Sequence, residues 1–198
     1  MKEWTLYDLA LLAELDTATG EVAVRLAYET PPAHRPEREP SIVFKAAGTD
    51  GERLALVTQT EVCLLDRDEL VLRTVWSHPL FNDLHHATWF EGRLHVVSTG
   101  LDRVLVLDEA GSVAAIRGVL PEAELRPLEP GRDYRRIPST KPHAAHPNFA
   151  FAAEGELWVT RFEQRDAVAL DDLERRFAIG VEKPHDGLLH EGSVWFTT

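Results

Sequence analysis

A β-propeller of four-stranded antiparallel blades is the fold class this sequence predicts, and three observations carry the prediction. A phrase made of an apolar run, a turn ending in glycine and a second apolar run is written four times. The copies lie at 44–58 around Gly51, 85–99 around Gly92, 148–161 around Gly155 and 185–198 around Gly192. After the first three copies comes a third apolar run ending in an aspartate, Asp66, Asp108 or Asp171, which follows its glycine by 15, 16 and 16 residues. A more polar fourth run then follows at 70–76, 112–118 and about 175–180. A near-constant internal distance in otherwise different sequences marks one supersecondary unit used repeatedly, and four strands in about 40 residues is the unit of a propeller.

The elements can be justified in chain order. Segments 7–16 and 21–29, joined by Thr17-Ala18-Thr19-Gly20, read as the third and fourth strands of a blade, giving a half-blade at 5–29. A Pro-rich connection, 31–40, leads to blades at about 41–80 and 84–118. The glycine spacing then widens from 41 to 63 residues, which locates an inserted loop at 120–146, rich in proline and without apolar periodicity. A third blade spans 146–180 and a second half-blade 184–198. In each full unit the pairs Asp50-Gly51, Glu91-Gly92 and Glu154-Gly155 suit a tight hairpin, because glycine supplies the positive φ that such a turn needs. The whole reads as one domain. The expected ring is part of a six- or seven-bladed propeller, the alternative being a closed four-bladed ring in which the two half-blades pair.

Composition bounds the function. The formal net charge is −12, which argues against nucleic acid and anionic membrane as partners, since both require basic residues to neutralise phosphate. The single cysteine, Cys63, alternates with Val62 and Leu64 in an apolar run and reads as a buried hydrophobe. The acidic N-terminal segment has no basic start followed by a long apolar stretch, and no run approaches the roughly 20 apolar residues of a membrane span. The expectation is a cytoplasmic protein. Asp66, Asp108 and Asp171 read as turn residues, and Trp89, Trp158 and Trp195 as packing between blades. His95 and His190 read as cross-strand or surface residues.

Topology gathers the candidate chemistry. The first strand of each blade lines the propeller axis, and the position seven residues before each turn glycine is Phe44, His85, Asn148 and His185. His86, His143, His146 and Asp186 stand nearby, and the turns after the second strands add Thr99, Arg161 and Glu163. The inserted loop ends at His146, so it hangs over the same opening, bringing Arg135 and its neighbours Tyr134 and Arg136. Imidazoles converging on an axis suit a divalent metal or general acid–base work. His85, His146 and His185 are the candidate metal ligands; His185, His146 and Arg161 are the candidate catalytic groups. His85, His86, Asn148, Asp186, Thr99 and Arg135 complete the candidate ligand-binding set. No phosphate-cradling glycine loop, G-x-S-x-G, H-E-x-x-H or C-x-x-C motif is present.

The phrases ELWVTRF, PHDGLLHEGSVWFTT and LHHATWFEGRLHVVST resemble the NHL-like, SMP-30 gluconolactonase-like and virginiamycin B lyase-like propellers over most of residues 41–198. The resemblance implies metal-dependent lactonases and lyases, with ligands or a catalytic histidine at axial strand starts. His185 and His85 occupy such positions, and Asp186 or Glu163 would be the acidic counterparts. Two functional expectations follow. One is a ligand-binding propeller with a polar, His-containing axial site, acting as a metal-assisted lyase or hydrolase on a small polar metabolite. The other is a non-catalytic scaffold that recognises protein or carbohydrate.

Overall fold

The computed structural model describes residues 6–198; position 5, the expected start of the first half-blade, lies outside the described residues. Every sheet is antiparallel and meandering. A two-stranded sheet, β1 (Ala10–Leu15) and β2 (Val22–Tyr28), comes first. Three four-stranded sheets follow. The first contains β3 (Ala47–Thr49), β4 (Arg53–Val57), β5 (Val62–Asp66) and β6 (Leu72–Trp76). The second contains β7 (Leu84–Phe90), β8 (Arg93–Ser98), β9 (Arg103–Leu107) and β10 (Val113–Gly118). The third contains β11 (Pro147–Ala153), β12 (Glu156–Arg161), β13 (Asp166–Ala169) and β14 (Asp172–Ala178). The last sheet is the hairpin of β15 (His185–His190) and β16 (Ser193–Thr197). The first and last hairpins stand in separate sheets, so the pairing that would close a four-bladed ring is absent among the described residues. No helix among them is long and apolar enough to cross a membrane.

Successive sheets pack face to face, and each junction has its own core. Leu56, Cys63 and Leu65 meet Leu12 and Leu26 of the first hairpin. Val57, Val62 and Leu64 meet Leu84, Ala87 and Val96. Val97 and Val104 meet Ala150, Leu157 and Val159. Phe151 and Trp158 meet Val194 and Phe196 of the last hairpin. A middle strand therefore buries both faces, and β9, RVLVL, is buried at every position. This explains continuous apolar runs where a one-faced sheet would alternate. Outer strands alternate instead, as β10 does. Trp195 departs from its expected packing role: it is 63% exposed, on the face of the last hairpin opposite Phe151.

The inner strands β3, β7, β11 and β15 contact one another in succession, which defines the axis. Their approach is close. A Cβ on Gly48 would lie 2.1 Å from the Ala87 carbonyl oxygen, so only glycine fits there. The later hairpin turns have positive φ at both central residues, as in Glu91-Gly92 (48° and 74°) and Glu154-Gly155 (55° and 78°), the type I′ geometry that matches strand twist, whereas in Asp50-Gly51 only the glycine does. Asp66 and Asp108 accept backbone N–H groups of their turns, from Asp68 and Glu69 and from Ala110 and Ser112. In the third blade Asp172 does this, for Glu174, while Asp171 pairs with Arg117. The two Pro-rich segments are tied down. Arg136 binds the carbonyls of Pro32 and Arg35 and the Glu37 carboxylate. His34 meets the fully buried Glu61 at 2.7 Å, which also accepts the Tyr28 hydroxyl at 2.7 Å.

Candidate functional site

The inner strands of the later sheets begin irregularly, and the irregularity aims side chains at the axis. The ladder slips between Leu84 and His86 in β7, between Pro147 and Phe149 in β11, and between His185 and Leu188 in β15. The residues left over are His85, Asn148 and the Asp186-Gly187 pair. Such bulges bend a strand and redirect a side chain. Asp83, His146 and Asp186 beside them hold left-handed backbone at φ of 50°, 51° and 57°, conformations costly enough to persist only where the surroundings enforce them.

Two of these starts come together. The His85 and His146 rings lie 5.1 Å apart, edge to face. His143, from the end of the inserted loop, puts its Nδ1 3.0 Å from Nδ1 of His146. Asp83 forms an ion pair with Lys45 and lies 3.5 Å from Nε2 of His85. These five polar residues come from three stretches of chain more than 35 residues apart. Asp102 fixes the loop end: its carboxylate accepts the backbone N–H groups of Ala144, Ala145 and His146 at 2.8, 3.0 and 2.8 Å.

The hydrogen bonds around His143 fix the tautomers. Asn82 donates its amide N–H groups to the carbonyls of Tyr134 and Ile137, so its Oδ1 must accept. It accepts from the Thr140 hydroxyl at 3.2 Å. With that proton committed, Thr140 Oγ1 can only accept from Nε2 of His143, also at 3.2 Å. Nδ1 of His143 is then a lone pair that accepts Nδ1–H of His146, leaving Nε2 of His146 as a bare acceptor. At the other end, Nε2–H of His85 faces Asp83, which leaves Nδ1 of His85 unprotonated.

Electrostatics agree with neutral imidazoles. Burial, followed by the His85 and His143 rings, brings His146 down to about 3. Burial and the charge of Lys45 lower His85, and burial lowers His143. Burial would raise Asp83, yet the His85 hydrogen bond and the Lys45 charge hold it far below the usual carboxylate range. The Lys45 side chain is 24% exposed; burial pushes its ammonium below the ordinary value, and Asp83 opposes that. Lys141 lies close enough for its charge to lower Lys45, His143 and His146.

Other expected site residues have different jobs. His185 adjoins the cluster through Phe162, whose ring is 5.0 Å from His146 and 5.5 Å from His185; the His185 side chain is exposed and its Nδ1 binds the Lys183 carbonyl. Asp186 accepts the Thr197 hydroxyl at 2.8 Å, within its own hairpin. His86 is 2% exposed, stacks on Phe149 at 3.7 Å between centroids and bridges Ala47 O and Ala150 N across two sheets. It is a joint between blades, because the residue after the bulge turns back into the wall. Thr99 is fully buried and donates to the Pro147 carbonyl. Arg161 is buried against Asp166 through Nε and Nη2 at 2.8 and 2.6 Å, and its Nη1 donates to the Val119 carbonyl. Arg135 is held by Asp133 and the Ser77 hydroxyl. Asn148 donates Nδ2 to the Pro184 carbonyl at 2.8 Å, and its buried Oδ1 has no hydrogen-bond partner.

Among the described residues, no three His, Cys, Asp or Glu side chains are arranged to hold a metal ion. His85 and His146 stand together, but the third expected ligand, His185, lies across Phe162. Lys45 and Asp83 were missed by sequence reading. The signal was faint: Lys45 directly follows Phe44, the one apolar member of the aligned axial positions.

No protein-family model matches the chain, and no curated protein matches it by sequence. Solved structures do match. Virginiamycin B lyase from Staphylococcus aureus superposes with a TM-score of 0.57 at 14% identity, over 94% of this chain and 56% of that one. Glutaminyl cyclase from Myxococcus xanthus gives 0.56 at 11% identity, over 97% of this chain and 84% of that one. The Pan2 WD40 domain from Neurospora crassa gives 0.53 at 11% identity, over 89% and 51%. The chain thus spans little more than half the length of the lyase it resembles. At these identities the likeness is one of fold, and the fold is a β-propeller.

Proposed function

We propose that the axial cluster binds a small polar metabolite bearing a carboxylate or phosphate, and that His85, oriented by Asp83, takes a proton from it. The observation behind this reading is the chain Lys45–Asp83–His85, set beside His146 at the bulged starts of adjacent inner strands. Two of the four lysines in this acidic sequence act at the mouth: Lys45 beside Asp83, and Lys141, whose charge reaches His143 and His146. They make a local basic island that favours an anion. A carboxylate beside one imidazole nitrogen holds the ring and stabilises the imidazolium formed when the other nitrogen gains a proton. Lys45, rather than the candidate Arg161, is the cation beside the imidazoles. Two of the structures that share the fold are named as a lyase and a glutaminyl cyclase, so the fold accommodates enzymes and the reading here is argued from this chain's own residues.

Calorimetric titration with propionate and with inorganic phosphate tests the reading. The parent protein should bind at least one of them, and Lys45→Met should weaken that binding about tenfold, or roughly 1.4 kcal/mol. Equal heats from parent and variant would contradict it.

A further inference from the structure

Lys45 does more than attract an anion. We propose that its Nζ is a nucleophile that condenses with the carbonyl group of a 2-oxo acid or comparable carboxylate-bearing carbonyl compound, forming an imine at the axial mouth. This inference rests on the anion-binding reading above and names the substrate class for it.

A lysine becomes a nucleophile when it is partly desolvated and stands next to another cation, because both disfavour the protonated amine. The Lys45 side chain is largely buried and feels the charge of Lys141, while its partner Asp83 opposes both effects and is the base in contact with Nζ. A proton carrier must also be at hand, and Asp83 touches the amine, with Nε2 of His85 3.5 Å beyond it. A surface lysine paired with a carboxylate lacks that second group. Arg161 and Asp166 offer the contrast within this protein, since every polar contact there ends on another protein group.

The step balances without a further reactant. The Lys45 ammonium gives one proton to the Asp83 carboxylate in contact with it, and the free Nζ forms a C–N bond to the carbonyl carbon. The carbonyl oxygen becomes a hydroxyl by taking a second proton from Nζ, and the first, returned by Asp83, converts it to leaving water as the C–O bond breaks. Ammonium plus carbonyl compound thus becomes a protonated imine plus one water, with charge conserved. The charge of Lys141, felt at His146, favours a carboxylate beside that ring, and the neutral His146 offers Nε2 to a hydroxyl of the intermediate.

The test is reductive trapping. The intact protein is incubated with glyoxylate or with pyruvate, borohydride is added, and modified lysines are located by peptide mass mapping. The chain has only Lys2, Lys45, Lys141 and Lys183 to distinguish. Label concentrated on Lys45, absent from Lys45→Arg and reduced by excess propionate, is the expected result. Lys45→Arg keeps the positive charge, and its thermal unfolding midpoint checks that it folds. Label distributed over the four lysines, or confined to Lys183, overturns the proposal. If propionate binds but Lys45 is not trapped, only this inference falls; if neither propionate nor either carbonyl compound binds, the reading beneath it falls as well.

Discussion

Two ion pairs of the same charge type differ in how much each has left to offer. In Arg161–Asp166 both side chains are under a tenth exposed, the fork is bidentate, and the remaining nitrogen is bonded to a main-chain carbonyl from the preceding blade. In Lys45–Asp83 both side chains are 24% exposed, and the carboxylate is shared with His85. The first pair is closed and holds blades together; the second is open and leads into a cluster of neutral imidazoles. A charged residue near a propeller axis is therefore not a site by position alone. What matters is whether its hydrogen-bonding capacity has already been satisfied by the fold.

The largest expected effect would break the comparison outright if it failed. Arg161→Met strands Asp166 in the interior and should cost about 3–5 kcal/mol of stability in urea unfolding. Lys45→Met should cost at most about 1 kcal/mol, because its partner can reach water. Similar losses for the two would erase the distinction.

Adjacent histidines sharpen the same contrast. His86 is buried, and burial brings it down to about 4, below the ordinary 6.5. The unfolded chain therefore takes up the proton first as pH falls. Stability from this group should decline from about pH 6.5 towards pH 4, by up to about 3 kcal/mol, and level off below. His86→Gln, which keeps hydrogen-bonding capacity for Ala47 and Ala150, should flatten that part of the profile in denaturant melts at several pH values. His85→Gln should leave its main slope in place. A slope that follows His85 instead would reverse their assigned roles.

Smaller effects separate site from scaffold. Asp83→Asn removes the carboxylate that neutralises Lys45 and should strengthen propionate binding several-fold while moving stability by no more than about 1 kcal/mol. At the low end, Arg117→Ala breaks an exposed pair with Asp171 and should change stability by less than about 0.5 kcal/mol, with no effect on binding.

The blade repeat was legible because it rests on local chemistry: type I′ glycines, alternating outer strands and continuous apolar runs that bury both faces. The convergence of His85 and His146 was also legible, since topology alone places strand starts around an axis. The rest depended on tertiary detail that no spacing encodes. Bulges decide that His85 faces the mouth while His86, its neighbour, turns into the wall. Phe162 separates His185 from the cluster, and nothing in the order of residues marks that ring as a divider. Lys45 escaped notice because it sits one position beyond the aligned column. Asp83 was hidden in a left-handed turn before β7, where an aspartate ordinarily reads as a turn former.

The most direct measurement is a propionate titration followed through the imidazole nitrogen resonances of the nine histidines. Shifts confined to His85, His143 and His146, and lost in Lys45→Met, are what an open axial cluster predicts. Equal response at the outlying His34 and His190, or none at the three axial rings, would contradict it.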